Sequence, residues 1–330
     1  MTKDLVLKIL NESNDYISGT EISRKLSVSR AAINMAVNSL REDGYTIYSI
    51  TNKGYKLVGK PNILSKNELS NYLPQSIISN VLCLDVCDST NIKARELAFS
   101  GAKNRFVVTA EGQTAGKGRL GRSFVSTHGK GVFLSMIVRP DMYAADTTTI
   151  TAWTAVAVCK ALETITGLNF NIKWVNDILL NNKKICGILT EMSVEFESNK
   201  VQNIIIGIGV NINNTRKDFP TELGNIASSL LLEQGHEYNR AEVCAEIIKE
   251  LNIMLDKWPD INNTYLSEYK ARCVNIGKQI TIKSPQQELH GIVNSINDDF
   301  SLNITFSDGS TRDISTGEVI IDDLYKGDNK

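Results

Sequence analysis

The most informative segment of this chain reads Glu111-Gly-Gln-Thr-Ala-Gly-Lys-Gly-Arg-Leu-Gly-Arg122. It follows the strand-like run Phe106–Ala110, and its glycines alternate with the cations Lys117, Arg119 and Arg122. Glycine lets a backbone approach a ligand closely, and the cations can neutralise a carboxylate and phosphates. The segment therefore predicts a polyanion-binding loop at a strand end. A mobile, solvated loop is the alternative when the segment is taken alone.

Two common phosphate-binding motifs do not fit this loop. Gly116–Gly121 spells G-x-G-x-x-G, but the polar run Ser123–Gly131 leads straight into a strand, whereas a dinucleotide fold needs a helix there. A P-loop reads G-x-x-x-x-G-K followed by a hydroxyl residue. Here three residues separate Gly112 from Gly116, and Lys117 is followed by glycine.

Two further segments place polar groups at the ends of predicted strands. Asp88–Asn91 lies between the strand-like Val81–Val86 and the helical pattern Ile92–Phe99, so its hydroxyls and amides gather at a helix N-terminus. An ordinary helix cap would look the same. Lys173–Asp177 follows the strand Phe170–Ile172 and offers a cation, an amide and a carboxylate suited to a nucleotide and Mg²⁺. A turn with a surface salt bridge is equally compatible.

The last two segments are strands. Lys183–Glu191 is entered through paired lysines, and Ile204–Asn211 carries the alternate glycines Gly207 and Gly209. Alternate glycines remove the side chains from one face of a strand. A flat ligand could lie against that bare face.

Residues 1–60 carry the pattern of a winged helix. A first helix is predicted over 3–11, and Thr20 is expected to cap a short second one. Ser29 is the predicted cap of the next helix, whose apolar residues recur at helical spacing from 33 to 40. A hairpin with a turn signal follows over 45–57. Helix, turn, helix and wing together predict DNA binding.

The polar side of this module holds the predicted DNA contacts, Ser29, Arg30, Asn34, Asn38, Arg41 and Lys53. In such modules the second helix of the motif enters the major groove. Residues 1–60 contain nine Lys and Arg against six Asp and Glu, while the remainder of the chain is net negative. A helical protein-interaction module with the same apolar spacing is the alternative.

Composition favours a globular protein of two or three domains. The chain has 330 residues, of which 42% are hydrophobic and 22% charged. Because no apolar run reaches the length of a membrane span and the first residues lack a secretion signal, we expect a cytoplasmic protein without a membrane partner. The six cysteines show no C-x-x-C spacing and are interpreted as buried thiols. The three histidines are scattered along the sequence, which argues against zinc sites and His-based triads.

From about residue 278 the pattern changes to short strands, predicted at 279–283, 289–296, 302–306 and 311–314. This pattern is typical of a small SH3-like β-barrel. The whole chain is thus expected to be a multidomain α+β protein. Its predicted domains are a winged helix-turn-helix over 1–62, a catalytic domain over 63–276 and the barrel over 277–330.

These segments, in this order and spacing, resemble the bifunctional biotin–protein ligase/biotin operon repressor family over essentially the whole chain. The most specific marks are the loop Gln113–Arg122 and Lys173-Trp174-x-Asn176-Asp177. The resemblance implies a central mixed sheet with helices, similar to a class II synthetase core. It also implies an ATP-dependent, AMP-forming biotin–[biotin carboxyl carrier protein] ligase.

The resemblance assigns two sides to the site. It places around biotin Ser89, Thr90, Asn91, Gln113, Lys117, Gly118, Arg119, Lys184, Gly207 and Gly209. It places on the ATP side Arg122, Phe124, Lys173, Asn176 and Asn211, with Asp177 near Mg²⁺. Lys184 and Arg119 would face the biotin carboxylate and the α-phosphate as the catalytic groups. Lys117, Phe124 and Val175 stand where many members carry arginine, tryptophan and proline.

The resemblance also implies the reaction and its regulation. The biotin carboxylate attacks the α-phosphorus of ATP to give biotinyl-5′-AMP and pyrophosphate, and a carrier lysine then attacks this mixed anhydride. Cations and orientation suffice for such a step. Biotinyl-5′-AMP is also the corepressor, since it orders the loop Gly112–Phe124 and favours a homodimer that binds a two-fold operator. We expect Cys186–Phe196 to be the edge strand of that dimer.

Two rival interpretations remain. A related ligase could act on lipoate or another acyl chain, although Ser89, Thr90 and Gln113 favour the polar ureido ring of biotin. A ligand-sensing repressor with a decayed enzyme site is the other rival. The retained Lys184, Arg119 and Asp177 argue against decay.

Overall fold

The computed structural model describes residues 2–260, 264–283, 288–321 and 324. The chain folds as two compact units, Met1–Ile63 and Leu64–Lys330. Helices and strands are both abundant, so the predicted α+β class is confirmed. The predicted boundary between residues 276 and 277 lies within the second unit and stays a prediction. Across the described ranges, no helix has the length and apolar character needed to cross a bilayer.

The first unit consists of helices and one hairpin. Its elements are α1 (Thr2–Glu12), α2 (Gly19–Leu26), α3 (Arg30–Glu42), β1 (Thr46–Ile50) and β2 (Gly54–Gly59). Ile22, Ile33 and Val37 are fully buried between the helices. The helical spacing of the apolar residues predicted this core correctly.

Serines begin two helices of this unit. Ser29 caps α3 as predicted, because its Oγ accepts a hydrogen bond from the backbone N–H of Ala32 at 3.1 Å. The predicted cap of α2 was wrong. Ser18 caps that helix and accepts from the N–H of Glu21 at 3.1 Å, while Thr20 lies inside the first turn. The extended backbone of Ser18 (φ −70°, ψ 142°) places its hydroxyl over the free amides.

The second unit contains the remaining elements. Its helices are α4 (Lys66–Leu69), α5 (Gln75–Ile78), α6 (Thr90–Phe99), α7 (Ile150–Thr166), α8 (Leu230–Gln234), α9 (Arg240–Lys257) and α10 (Tyr265–Arg272). Its strands are β3 (Val81–Cys87), β4 (Val107–Gln113), β5 (Gly131–Val138), β6 (Asn171–Lys173), β7 (Asp177–Leu180), β8 (Lys183–Val194), β9 (Val201–Asn211), β10 (Gln279–Lys283), β11 (Glu288–Ile296), β12 (Leu302–Phe306), β13 (Thr311–Ile314) and β14 (Glu318–Ile321). Ser65 caps α4, so the polar stretch around residues 65–67 begins a helix.

Strands β3 to β9 form a mixed sheet in the order β3-β4-β5-β9-β8-β7-β6. Only the β3–β4 pair is parallel within this sheet, as far as the described strands show. Successive residues of a strand point to opposite faces. Ile204 and Ile206 accordingly join the main core with α7 and α9, while Ile205 packs with α6 on the other face. The sheet is thus covered by helices on both faces.

The register of this sheet brings several strand ends together. Gln113, at the end of β4, pairs with Cys87 at the end of β3. Gly131, at the start of β5, pairs with Asn211 at the end of β9. Gly187 of β8 lies opposite Gly209 of β9. Because β5 runs antiparallel to both β4 and β9, all these ends meet at one end of the sheet.

The prediction that Cys186–Phe196 is an edge strand was partly wrong. β8 lies between β9 and β7 in the sheet. However, β7 pairs only with Lys183–Gly187, because it is four residues long while β8 is twelve. In the described part of the chain, the far half of β8 has ladder partners only in β9. That half therefore has one free side.

Strands β10 to β14 form a second, antiparallel sheet in the order β13-β12-β11-β10-β14. β10, β11, β12 and β13 lie where the sequence predicted strands, and β14 was missed. The SH3-like barrel stays a prediction. Residues 325–330, which the predicted barrel domain includes, lie outside the described residues.

The six cysteines are free thiols. Cys159, Cys186 and Cys244 are buried as interpreted, whereas Cys83, Cys87 and Cys273 are half-buried. Burial raises the pKa of Cys83 to about 12 and that of Cys87 to about 11. These thiols are therefore protonated, and weakly nucleophilic, at neutral pH.

A substitution at Gly54 tests the packing of the wing. Gly54 has φ +108°, and an added Cβ would lie 2.1 Å from the carbonyl oxygen of Ile17. That carbonyl accepts from the N–H of Tyr55 at 2.9 Å, so it is held in place. We expect Gly54→Ala to destabilise the first unit by about 2–5 kcal/mol, from left-handed strain plus overpacking. Hydrogen exchange of the first unit's amides in the full chain measures this.

The matched control is Gly44→Ala. Gly44 also has positive φ (+91°), but its added Cβ would lie 3.3 Å from the side chain of Pro61. The Pro61 side chain would have to shift by only a few tenths of an ångström, so backbone strain is the larger contribution, and we expect about 1–2 kcal/mol. Equal effects of the two substitutions would contradict this account of the wing.

Candidate active site

A cleft of about 450 Å³, partly open to solvent, lies where the strand ends of the mixed sheet meet. All the residues predicted around biotin line it, namely Ser89, Thr90, Asn91, Gln113, Lys117, Gly118, Arg119, Lys184, Gly207 and Gly209. Phe124 and Asn176, predicted on the ATP side, line it too. Five segments that are distant in sequence thus form one cleft.

One end of the cleft is a polar network built on the N-terminus of α6. The backbone N–H and the hydroxyl of Thr90 both donate to Oε1 of Gln113, at 2.8 and 3.1 Å. Nε2 of Gln113 donates to the hydroxyl of Ser126 at 2.8 Å. Ser89, which precedes the helix, is buried but makes no side-chain cap. This end therefore presents hydroxyl and amide groups in fixed orientations.

The sequence interpretation missed the residues behind this network. Ser135 of β5 is fully buried, and its hydroxyl lies 2.8 Å from that of Thr90 and 2.6 Å from Oδ1 of Asn91. Nδ2 of Asn91 donates to Glu191 at 2.8 Å, and Glu191 pairs with Arg95. Because both ends of its amide are engaged by protein groups, Asn91 forms the wall of the cleft. A lone serine within the apolar run of β5 was the one available sequence signal.

Gly207 and Gly209 of β9 are required because other side chains lie too close to the strand to leave room for a Cβ. An added Cβ at Gly207 would lie 2.0 Å from Oδ1 of Asn91, and one at Gly209 would lie 2.6 Å from the ring of Phe124. An added Cβ at Gly187 of the neighbouring strand would lie 3.3 Å from the same ring. The predicted bare face therefore exists. In this structure the ring of Phe124 lies on it, with Phe133 edge-on at 6.3 Å between centroids.

The other end of the cleft carries positive charge. Nζ of Lys184 forms an ion pair with Asp177 at 2.6 Å. Nη1 of Arg119 donates to Oδ1 of Asn176 at 3.0 Å, and Nδ2 of Asn176 donates to the carbonyl of Ile188 at 2.9 Å. Lys117 is exposed at the rim. These cations can face an anion that enters from the polar end.

Lys173 is a second lysine near the positively charged end of the cleft. It lies on β6 directly opposite Asp177 on β7. Burial lowers the pKa of Lys173, the charge of Asp177 opposes that effect, and the charge of Lys184 adds to it. A buried cation beside another cation is costly, so this end of the cleft favours anions.

The C-terminal sheet holds the glycine-rich loop by two arginines. Nη2 of Arg119 donates to the carbonyl of Gly317 at 3.2 Å. Arg122 forms an ion pair with Glu318, the first residue of β14. Neither partner was predicted, because nothing in their local sequence signals a distant contact. Arg122 is two-thirds exposed, so this pair contributes little stability by itself.

Four predicted site residues do not line the cleft. Arg122, Lys173 and Asp177 surround its positive end, as described above. Asn211 is buried beside it, where its Nδ2 donates to the carbonyl of Ser228 at 3.0 Å. Its Oδ1 has no hydrogen-bond partner among the described residues. Roles for these residues in ATP or metal binding stay predictions.

A buried ion pair anchors the start of the loop. Glu111 is buried near the end of β4, and its carboxylate lies 2.8 Å from Nη2 of Arg240, which is 1% exposed. The same carboxylate accepts from the backbone N–H of Leu64. Removing one partner of such a pair leaves a buried charge uncompensated, which is strongly destabilising. The loop therefore starts from a rigid base.

The predicted DNA contacts lie along α3 and the wing. Arg30, Asn34, Asn38 and Lys53 are exposed, and Ser29 uses its hydroxyl as the helix cap. Arg41 instead reaches the wing, where its Nε and Nη2 donate to the carbonyl of β1 Ile47 at 3.0 and 2.7 Å. Arg41 therefore holds the hairpin against α3.

Family comparisons agree with both parts of the chain. The Biotin/lipoate A/B protein ligase family matches residues 83–211, which include the cleft segments described above. An HTH domain matches residues 2–56, which cover the helices, β1 and the first half of β2 of the first unit.

The bifunctional ligase/repressor BirA of Bacillus subtilis is 41% identical over 249 residues, which is 75% of this chain and 76% of that protein. The chain belongs to the bifunctional ligase/repressor family. The Escherichia coli member is 27% identical over 319 residues, 96% of this chain and 97% of its own length. This alignment spans the DNA-binding and ligase parts together. The predicted family, and with it the enzyme class, is confirmed.

A solved structure supports the ligase fold. The biotin protein ligase from Aquifex aeolicus, in complex with biotin and ATP, superposes with a TM-score of 0.62 at 25% identity. The superposition covers 73% of this chain and 97% of that chain. The central mixed sheet is thus the ligase fold of the family.

Proposed function

We propose that this chain activates biotin with ATP, transfers it to a lysine of a biotin carboxyl carrier protein, and represses transcription when loaded with biotinyl-5′-AMP. One observation carries the ligase half of the proposal. The hydroxyl and amide groups of Thr90 and Gln113 and the cations Lys184 and Arg119 line one glycine-lined cleft, where Asn91, next to Thr90, lies against Gly207 and Nζ of Lys184 lies beside Gly187. Biotin has the same polarity, with a ureido ring at one end and a carboxylate at the other.

The polar end discriminates between candidate acids. A ureido ring offers N–H donors and a carbonyl acceptor, whereas the dithiolane ring of lipoate offers neither. Gln113 uses one N–H on Ser126 and keeps the other for a ligand. An apolar ring against Gln113 would leave that second N–H without a ligand acceptor, which costs free energy. The cleft therefore fits biotin better than lipoate.

At the cationic end the first step joins two anions. A biotin carboxylate oxygen attacks the α-phosphorus of ATP. The bond from the α-phosphorus to the oxygen that bridges it to the β-phosphate breaks, and pyrophosphate leaves with that oxygen. Lys184 and Arg119 neutralise the carboxylate and the α-phosphate during this attack. In the second step the amine of the carrier lysine attacks the acyl carbon and loses a proton, and AMP departs. Neither step forms a covalent bond to the protein.

Mg²⁺ would stabilise the departing pyrophosphate when bound. Asp177 offers one carboxylate at the cationic end, paired in this structure with Lys184. Among the residues that the structure describes, no three acidic, histidine or cysteine side chains gather into a preformed metal site. Mg²⁺ commonly binds through one or two carboxylates together with substrate phosphates and water. Asp177 fits that mode.

The repressor half of the proposal rests on the first unit. Arg30 stands at the exposed N-terminus of α3, and Lys53 lies at the turn between β1 and β2. A recognition helix and a wing placed in this way contact bases and phosphates. Biotinyl-5′-AMP acts as the corepressor in this proposal.

The free side of β8 is the proposed dimer edge. An unpaired strand edge can add a strand from a second copy. Exposed apolar side chains accompany it: Met192 is 44% exposed, Val194 36% and Phe196 98%. Tyr143, 53% exposed, lies on a segment that pairs with Lys200 just before β9. A two-fold contact here would bury this patch and complete the ladder.

Substitution of Lys184 tests the ligase activity. We expect Lys184→Ala to lower biotin-dependent pyrophosphate exchange by about 10²- to 10³-fold, since it removes a charge that stabilises the transition state. The control is Lys183→Ala, because the neighbouring lysine pairs with Glu233 at 3.5 Å and lies outside the cleft lining. Wild-type exchange in Lys184→Ala would refute the assignment of the cationic end.

Substitution of Arg30 tests the DNA contacts. We expect Arg30→Ala to weaken binding of promoter DNA in the presence of biotin and ATP. The slope of log affinity against log salt should fall by about 1, because one phosphate contact is lost. Lys8→Ala removes an exposed cation from α1 and is the control. A filter-binding titration that shows the same salt slope for Arg30→Ala and the wild type would count against this contact.

Substitution of Phe196 tests the dimer edge. We expect Phe196→Arg to abolish the dimer that biotin and ATP induce, because a charge would be buried in an apolar contact. Phe99→Arg is the matched control, since Phe99 is 67% exposed at the end of α6. Analytical ultracentrifugation with both substrates measures the dimer. If Phe196→Arg dimerises like the wild type, the edge lies elsewhere.

A further inference from the structure

The glycine-rich loop begins and ends at a narrow neck. The backbone N–H of Gln113 donates to the carbonyl of Ser126 at 3.2 Å, and the N–H of Phe124 donates to the carbonyl of Gly116 at 2.8 Å. Between these bonds the two sides of the loop come into van der Waals contact. An added Cβ at Gly116 would lie 2.5 Å from the hydroxyl of Ser126 and 2.6 Å from the carbonyl oxygen of Phe124. The neck therefore has one arrangement in which all its groups fit.

The hydroxyl of Ser126 links Gln113 and Phe124 at this neck. It accepts from Nε2 of Gln113 at 2.8 Å and donates to the carbonyl oxygen of Phe124 at 3.0 Å. Gln113 in turn accepts from the backbone and the hydroxyl of Thr90. A continuous hydrogen-bonded path thus runs from the helix N-terminus at the polar end of the cleft to the backbone of Phe124.

Ser126 itself lies outside the cleft lining. Its contacts are with Gln113, at the polar end, and with Phe124, whose ring rests on Gly209 and Gly187. A ligand that takes the second N–H of Gln113 fixes the orientation of that amide. The oriented amide donates its first N–H to the Ser126 oxygen. The proton of the Ser126 hydroxyl is then directed to the carbonyl oxygen of Phe124.

We propose that Ser126 is a positioning residue that couples recognition of the biotin ring at Gln113 to placement of the Phe124 ring, and so of the loop, over the nucleotide. This proposal rests on the proposed ligase function. Ser126 supplies no group to the reacting atoms. Its role is to hold two groups that contact different substrates in one geometry.

The expected size of the effect follows from one hydrogen-bonded hydroxyl. Its loss costs a net ~0.5–1.5 kcal/mol, which corresponds to roughly 2- to 13-fold in an affinity. We expect Ser126→Ala to raise the dissociation constant of biotin and the KM for ATP by about this factor each, because both Gln113 and Phe124 lose their anchor. The value of kcat should change less, since the cations are untouched. A purely structural role would lower the amount of active protein and leave both constants unchanged.

The experiment compares four full-length proteins: wild type, Ser126→Ala, Ser126→Thr and Ser123→Ala. Calorimetry gives the affinity for biotin, pyrophosphate exchange gives the KM for ATP, and trypsin cleavage after the exposed Lys117 and Arg122 reports loop closure. Biotin at saturating concentration should protect the wild-type loop and protect the Ser126→Ala loop less. Ser126→Thr keeps a hydroxyl and should restore protection. Ser123→Ala removes an exposed hydroxyl from the same loop and should behave as the wild type.

A double-mutant cycle makes the coupling explicit. Residues that share a hydrogen-bond network give non-additive effects. Biotin affinities of Gln113→Ala, Ser126→Ala and the double variant should therefore be non-additive, with the second substitution costing little once the first is present. Additive effects, or wild-type protection and constants in Ser126→Ala, would overturn the role of Ser126. Absence of any heat from biotin with the wild type would instead overturn the ligase function itself.

Discussion

The contact of Asn91 and Phe124 with the side-chain-free strip of β9 is the constraint on which the site depends. Gly207 and Gly209 have no room for a Cβ, because these two side chains rest directly on the strand. Asn91 arrives from α6, and Phe124 arrives from the glycine-rich loop. The strip therefore fixes how far both elements approach the sheet, and the cleft is the space left between them. That spacing therefore sets the width of the cleft.

Ion pairs and hydrogen bonds within the protein likewise position the cations of the site. Lys184 is held by Asp177, Arg119 by Asn176 and the carbonyl of Gly317, and Arg122 by Glu318. A protein partner thus orients each of these cations before an anion arrives. Such prior orientation lowers the cost of reorganisation when charge develops. In the proposed reaction, a nucleotide and its metal ion would compete with the pair between Lys184 and Asp177.

Much of the architecture could be predicted from local patterns. The helices of the first unit followed from apolar spacing, and the cap Ser29 followed from its position before that spacing. Four strands of the C-terminal sheet were predicted because turn residues separate short apolar runs. The cap of α2 was predicted two residues late, since Ser18 and Thr20 are both suitable cap residues. Which hydroxyl lies over the helix amides depends on the backbone angles of Ser18.

The sequence by itself determined which residue types stand at strand ends and loops, and hence the family, the glycines, the cations and the hydroxyls of the site. Tertiary structure alone decided which of them meet. Ser135, Glu191, Glu318 and Arg240 contact the site or its loop from positions far away along the chain. Apart from the lone serine in the apolar run of β5, their local sequence gives no sign of it. The physical reason is that a hydrogen bond or an ion pair depends on distance in space. Strand register and sheet order set that distance, and they are fixed only when the whole core packs.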